Sequence, residues 1–276
     1  MNGDAILPAI RARLDAALAA PHPRYRPWRV DGATLGFVDD ARALRLARFS
    51  DVFAVAPEHV AFVPALSSVA ARTDALAKVA LALRADGELP AWRDELYAIA
   101  PSFEAPMAFA LERGAARWFG VRTYAAHVNG FVNDGAASRL WFARRSTTKA
   151  IDPGMLDNLV GGGIAAGASV RETVIREAWE EAGIAADVAR EAQAHGTVRI
   201  RRALPDGLQD ETIYIHDLAL PAEFVPANQD GEAIEHRLVD LATAARLIAA
   251  TDGPDVVTVD ASLVTLDFLV RRDAFG

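Results

Sequence analysis

The 276-residue chain contains no cysteine. Disulfides, a thiol nucleophile, thiolate-bound zinc and cysteine-held iron–sulfur clusters are therefore excluded. No apolar run approaches the roughly 18 residues that a membrane span needs. The first residues lack a basic stretch followed by an apolar core, and Asp4 and Asp15 interrupt them. They read as an ordinary amphipathic helix rather than a signal peptide, which makes a cytoplasmic location the expectation. Positive charge is also in short supply. Lys plus Arg is 29 against 37 for Asp plus Glu, a formal −8, the wrong sign for a general nucleic-acid scaffold. Neither nucleic acid nor membrane is expected as a partner. Repeats and low-complexity segments are missing too. What the chain does have is 52% hydrophobic residues, enough to bury a sizeable core in one large or two small domains.

Patterning divides the chain softly near residue 115, with no linker. Before it, Ile6 to Ala20 reads as a helix stopped by Pro21-His22-Pro23. Arg29 to Asp39 reads as a hairpin around Asp31-Gly32, and Ala41 to Phe49 as a short helix. Val52 to Val63 gives two short strands around Pro57-Glu58, and Ser67 to Ala85 the longest helical pattern. After it, Tyr124 to Val132 and Leu140 to Arg145 are strands joined by Asn133-Asp134-Gly135. Ser146 to Gly163 reads as a loop and Val170 to Ala182 as a helix. Thr197 to Ala203 and Thr212 to Leu220 form a hairpin around Pro205-Asp206-Gly207, and Leu238 to Ala250 and Ser262 to Arg272 close the chain as helices.

The chemistry concentrates in GGGIAAGASVRETVIREAWEEAGI, from Gly161 to Ile184. Ser169 and Glu172 have capping-box spacing, and Gly183 stands where a left-handed helix terminus is wanted. Val174, Ile175, Ala178, Trp179 and Ala182 share one arc that should face a sheet. Glu177, Glu180 and Glu181, at i, i+3 and i+4, fall beside it and repel one another unless a cation intervenes. Hard divalent ions such as Mg²⁺ and Mn²⁺ favour a few carboxylates together with substrate phosphates. Glycines before a helix N-terminus let backbone approach an anion. The same acids on their own also describe a solvated face.

The spacing resembles the Nudix hydrolase box, G-x5-E-x7-R-E-U-x-E-E-x-G-U with U apolar. Aligned on Gly162, the chain supplies Arg176, Glu177, Glu180, Glu181, Gly183 and Ile184 in register, with the small Ala178 at the apolar position and Ala168 in place of the first glutamate. The resemblance implies an α/β fold: an α/β/α sandwich around a mixed sheet over residues 116–276, preceded by a smaller α+β accessory domain over 1–115. It implies Glu177 and Glu181 as main ligands for Mg²⁺ or Mn²⁺, with Glu180 and the Gly162 carbonyl assisting. It implies a metal-activated water cleaving a small-molecule diphosphate, and a downstream acid as ligand or base, for which Glu211, Asp210 and Glu232 are candidates. The absent first glutamate leaves Arg176 in need of another acidic partner. A homodimer is the family analogy.

Short matches outside the box resemble one Nudix branch, the proteins related to the region N-terminal to fungal thiamine pyrophosphokinase, with plant and bacterial relatives. They are His127-Val128-Asn129-Gly130, Ala143 to Ser146 with Lys149, Pro153 to Asn158, Asp217 to Pro221 and Asp230-Gly231-Glu232, and in the first half Trp92-Arg93-Asp94-Glu95 and Glu112-Arg113. That branch implies thiamine diphosphate or an oxidised relative as substrate. Arg144, Arg145 and Lys149 are candidate phosphate contacts; His127 and Asn129, on one face of their strand, are candidate contacts to a ring or to a base, Asn158 is a further candidate substrate contact, and the tryptophans 28, 92, 118 and 141 are candidate ring contacts or core. The alternatives are an ADP-ribose or nucleoside-diphosphate hydrolase and a non-catalytic Nudix-fold sensor. An isopentenyl-diphosphate isomerase relative would want a cysteine acid, which the chain lacks.

Overall fold

The computed structural model describes residues 3–19, 24–134 and 137–275. The first half builds helix α1 (Gly3–Leu18), strands β1 (Tyr25–Val30) and β2 (Ala33–Asp39), helix α2 (Asp40–Leu46), strands β3 (Phe53–Val55) and β4 (Val60–Phe62), helix α3 (Val69–Ala85) and the hairpin β5 (Leu96–Ile99) and β6 (Phe109–Glu112). Four strands join in the order β2-β1-β4-β3, with β1 and β4 parallel. Trp28, fully buried, is the hub of their core, with Phe53, Phe62, Phe109 and Phe119 rings at 4.9–5.8 Å. Trp28 is therefore packing rather than a ligand platform.

The second half builds β7 (Arg122–Asp134), β8 (Ala137–Arg145), β9 (Leu156–Asn158), β10 (Val160–Gly163), α4 (Val170–Ala182), the short α5 (Ala186–Ala189), β11 (Gln193–Leu204), β12 (Gly207–Ala219), β13 (Ala233–Asp240), α6 (Leu241–Ala249) and α7 (Val259–Arg271). The sheet runs β11-β12-β7-β8-β13 and is mixed, since β12 lies parallel to β7 while the other pairs are antiparallel. Helix α4 covers one face through Val174, Ala178 and Ala182. Helices α6 and α7 cover the other, and α1 from the chain's start packs there too, its Ile6, Ile10 and Leu14 joining Phe131, Phe142, Ile248 and Phe268. The result is an α/β/α sandwich with a separate N-terminal sheet beside it. No helix of the described residues is long and apolar enough to cross a membrane.

Three local readings change. The stretch from Ser146 to Gly163 is not all loop. β7 and β8 pair only at 131–134 with 137–140; closer to the site they part, and β9 and β10 fill the gap, β10 on β7 and β9 on β8. Leu238 and Val239, expected to open a helix, end strand β13, and Asp240 then caps α6 through Thr243 N. Trp179, expected to face the sheet, is 53% exposed. It sits about 140° around the helix from Val174, beyond the edge of the apolar arc. The turn expected at Asn133-Asp134-Gly135 lies partly outside the described residues.

Candidate functional site

A cleft of about 230 Å³ opens where β7 and β8 part, between the sandwich and the β5–β6 hairpin of the N-terminal half. Its floor is the glycine triplet. These glycines do not form a loose cradle; they are strand β10, and each makes room for one side chain. A Cβ on Gly161 would lie 2.9 Å from the His127 ring, one on Gly162 2.0 Å from Glu177 Oε1, and one on Gly163 1.9 Å from Tyr97 Oη. Three functional groups from three elements can therefore meet over one strand.

Helix α4 delivers the acids. The capping box of Ser169 and Glu172 is present at its start, and Gly183 ends it with φ 65°. Turning about 100° per residue from Val174, Glu181 and Glu177 fall just beside the buried arc and Glu180 falls outside it. Accordingly Glu177 and Glu181 are 6% and 8% exposed, while Glu180 stands at the rim. Gly161 N–H donates to Glu181 Oε2 at 2.8 Å. Burial, then the charge of Glu177, pushes the Glu181 carboxyl up to about 8. Burial raises Glu177 as well, against the pull of Arg176. Arg176 contacts Glu177 at 2.7 Å and Glu180 at 3.0 Å, so its acidic partners in place of a residue-168 glutamate are the box's own carboxylates. With Arg176 and Gly161 holding these oxygens, no three metal-ligating side chains among the described residues converge closely enough to hold an ion as they stand.

Of the downstream acids, Glu211 on β12 faces the cleft, its oxygens accepting from Thr123 Oγ1 at 3.0 Å and Gln209 Nε2 at 3.2 Å. Both donors are neutral, and no ion pair to Glu211 is formed among the described residues. Asp210 is tied by Arg199 at 2.9 and 2.8 Å, and Glu232 pairs with Lys149. Lys149 lines the cleft, largely buried, with its pKa held down by that burial and by Arg145 and Arg93.

Two expected contacts are corrected. Arg144 does not reach the cleft. It pairs with Glu235 at 2.7 Å and with Asp255, and donates to the carbonyls of Gly154 and Pro254. Its neighbour Arg145 lines the cleft instead, held by Asp157 at 2.8 Å. Successive strand residues point to opposite faces, and β8 is buried on both, so no alternation in the sequence marks which arginine turns inward. Asn158 is 2% exposed and off the cleft wall; its amide serves His127 Nδ1 at 2.8 Å, Asn129 and Thr265 at 3.2 Å. It orients His127, which does line the cleft. Replacing Arg144 by alanine should therefore lower unfolding stability by about 1–2 kcal/mol, the scale of charge-assisted hydrogen bonds, and leave KM unchanged. Arg145→Ala should raise KM. Denaturant titration beside steady-state kinetics checks both, and a KM effect at Arg144 would contradict this placement.

The sequence reading missed the wall contributed by the N-terminal half, where Arg93, Tyr97 and Arg113 line the cleft, with Arg117 from just beyond that half beside them. Arg113 pairs with Glu95 at 2.6 Å and lies 5.6 Å from the Tyr97 ring centroid. Only the Trp92 to Glu95 and Glu112-Arg113 matches touched this segment, and they carried no hint that it folds over β10.

The NUDIX domain profile matches residues 123–258, and a profile described as a domain of unknown function, DUF4743, matches 12–123. The chain is 37% identical over 250 residues to "Nudix hydrolase 24, chloroplastic" of Arabidopsis thaliana, covering 90% of this chain and 68% of that protein. It is 35% identical over 257 residues to "Nudix hydrolase 20, chloroplastic" of the same plant, with the same coverage. Among solved structures, the NUDIX domain of Shewanella oneidensis NrtR complexed with ADP ribose aligns at TM-score 0.43 and 14% identity, over 55% of this chain and 90% of that one.

Proposed function

The chain belongs to the Nudix hydrolase family, and on that premise we propose that it hydrolyses the diphosphate of a small molecule whose organic part carries a positive charge or ring N–H donors, thiamine diphosphate or an oxidised relative. Nudix enzymes generally work with a divalent cation. The donor set here suits one: Glu177 and Glu181 are buried carboxylates whose pKa values burial raises despite Arg176 and the Gly161 N–H, and hard oxygen donors select such ions. Glu177, Glu181, Glu180 and the Gly162 carbonyl would hold Mg²⁺ or Mn²⁺. When bound, the ion supplies charge neutralisation for the diphosphate and acidifies a water. With those carboxylates engaged by an ion, Arg176 would be free of Glu177 and Glu180 and would bind the substrate's own negative charge. Glu211, hydrogen-bonded only by neutral groups, accepts the proton of the attacking water. Arg145 and Lys149 orient the phosphates.

The observation that carries the substrate class is a pair of carboxylates in the cleft wall. Asp152 and Asp260 line the cleft beside Gln209, whose amide nitrogen donates to both Asp260 and Glu211 and whose oxygen accepts from Arg202. Asp152 has its pKa raised by burial and by Asp260. Asp260 Oδ2 accepts from Gln209 Nε2 at 3.0 Å, while its buried Oδ1 has no hydrogen-bond partner among the described residues and only the Arg202 guanidinium at 3.8 Å. Two carboxylates close enough for Asp260 to raise Asp152 favour a cationic or N–H-rich ring over a second phosphate. The test is initial-rate hydrolysis of thiamine diphosphate, its oxidised analogues, ADP-ribose, nucleoside triphosphates and isopentenyl diphosphate with Mg²⁺ or Mn²⁺. The thiamine compounds should lead. A lead for ADP-ribose or nucleotides would discard the thiamine reading and keep the hydrolase.

A further inference from the structure

Six cations line the cleft. Five have an acidic partner: Arg113 with Glu95, Arg117 with Asp206 at 3.6 Å, Arg145 with Asp157, Lys149 with Glu232, and Arg176 with two box glutamates. Arg93 has none among the described residues, and its side chain belongs to the N-terminal half.

Its position is built rather than incidental. Glu112, 6% exposed, spends one oxygen on two backbone donors, accepting from Arg93 N at 2.8 Å and Gly114 N at 3.1 Å. Gly114 is what allows the loop to lie so close, since a Cβ there would fall 2.2 Å from the Ala91 carbonyl oxygen. The next residues are clamped as well. Asp94 takes φ 57° and accepts from Trp92 Nε1 at 2.6 Å, while Arg84 covers the Trp92 ring at 4.6 Å. A buried carboxylate, a close-approach glycine and a left-handed aspartate thus fix the backbone that presents one unpaired guanidinium to the cleft. Across it stand Lys149 and Arg145, whose positive charges it faces. Lys149 and Arg145 are balanced by Glu232 and Asp157, so the unpaired Arg93 leaves this group of three cations with a surplus positive charge that suits an anion.

We infer that Arg93 is a substrate-binding residue, closing with Lys149 and Arg145 around the phosphoryl group farther from the box carboxylates, so that the N-terminal half recognises the diphosphate directly. This rests on the diphosphate reading of the site. The forked guanidinium takes two phosphate oxygens at once, a contact that a point charge reproduces only in part.

The experiment measures binding of methylenediphosphonate, a non-hydrolysable diphosphate, to the full chain with Mg²⁺ by calorimetry, for wild type, Arg93→Ala and Arg93→Lys, with the unfolding midpoint of each. Arg93→Ala should weaken binding about ten-fold or more, Arg93→Lys by less, with midpoints unchanged because the side chain is exposed and unpaired. Equal binding by wild type and Arg93→Ala overturns the inference, as does no binding by wild type. Weakening accompanied by a lower midpoint in both variants also overturns it, since the loss would then be structural. If wild type binds the probe through Arg93 but turns over no organic diphosphate, the hydrolysis reading fails and the binding role stands.

Discussion

Replacing Glu181 with glutamine is expected to abolish turnover, by on the order of 10²–10³-fold or more, and at the same time to raise the stability of the metal-free protein at alkaline pH. Both effects come from one carboxyl group. Glutamine keeps the shape and can still accept from Gly161 N–H, but it cannot supply charge to a cation. Glu181 is 8% exposed and pushed up to about 8, first by burial and then by Glu177. A carboxyl whose value is higher in the folded than in the unfolded chain stabilises the fold when protonated. That contribution is complete below its ordinary value of 4.5 and is lost as pH rises through 8. The metal-free protein should therefore melt lower at about pH 9 than at about pH 6, and Glu181→Gln should flatten that slope. Divalent metal should stabilise wild type increasingly as pH rises, because it competes with protons for the same oxygens. Thermal melts with and without chelator at several pH values read all of this. Full turnover in the glutamine variant would end the assignment of Glu181 to the metal site.

The second large effect is expected from a single methyl group. Gly162→Ala places a Cβ 2.0 Å from Glu177 Oε1 and 2.1 Å from its carboxyl carbon. The backbone around Gly162 is fixed by pairing with Ala126 on β7, so the glutamate has to swing aside. Overpacking of this kind costs about 1–3 kcal/mol, less where a side-chain end can move. The loss of activity should be the larger effect, on the order of 10²-fold in kcat, because Glu177 leaves the position facing Glu181 and Arg176. Gly163→Ala makes a useful contrast. Its Cβ meets Tyr97 Oη at 1.9 Å, so it disturbs the opposite wall while leaving the α4 acids in place. Paired kinetics and melts separate the two. An unchanged kcat in Gly162→Ala would show that the site does not need Glu177 where the structure has it.

Much of this was legible in the sequence, for reasons that are local. The capping box, the glycine terminus and the 3.6-residue period of α4 are decided within a few residues, so the helix and its acids could be read directly. The hairpins around Asp31-Gly32 and Pro205-Asp206-Gly207 were legible on the same grounds. Less was legible where the outcome depends on distant partners. β9 and β10 are three and four residues long and exist because β7 and β8 part to admit them. Leu238 and Val239 were taken into β13 by pairing with Trp141 and Leu140, against a helical pattern. The choice of Arg145 over Arg144 depends on strand parity in a segment with no polar face. Arg93, Tyr97 and Arg113 lie in a different half from the box, and nothing local announces that they meet it.

That meeting of halves has a consequence for how such a protein can diverge. The acids that handle the reaction ride on α4, whose sequence is bound by cap, core arc and glycine contacts all at once. The opposite wall rides on a short hairpin and the loop before it, anchored at Glu112 and Tyr97. Exchanges at positions such as 93 or 97 would alter what enters the cleft while leaving the sequence of α4 untouched. On the proposed reading, the catalytic acids and one part of the substrate-binding wall are thus inherited on separate stretches of one chain. A lineage can drift to a new diphosphate by rewriting the loop and hairpin while the box stays as it is.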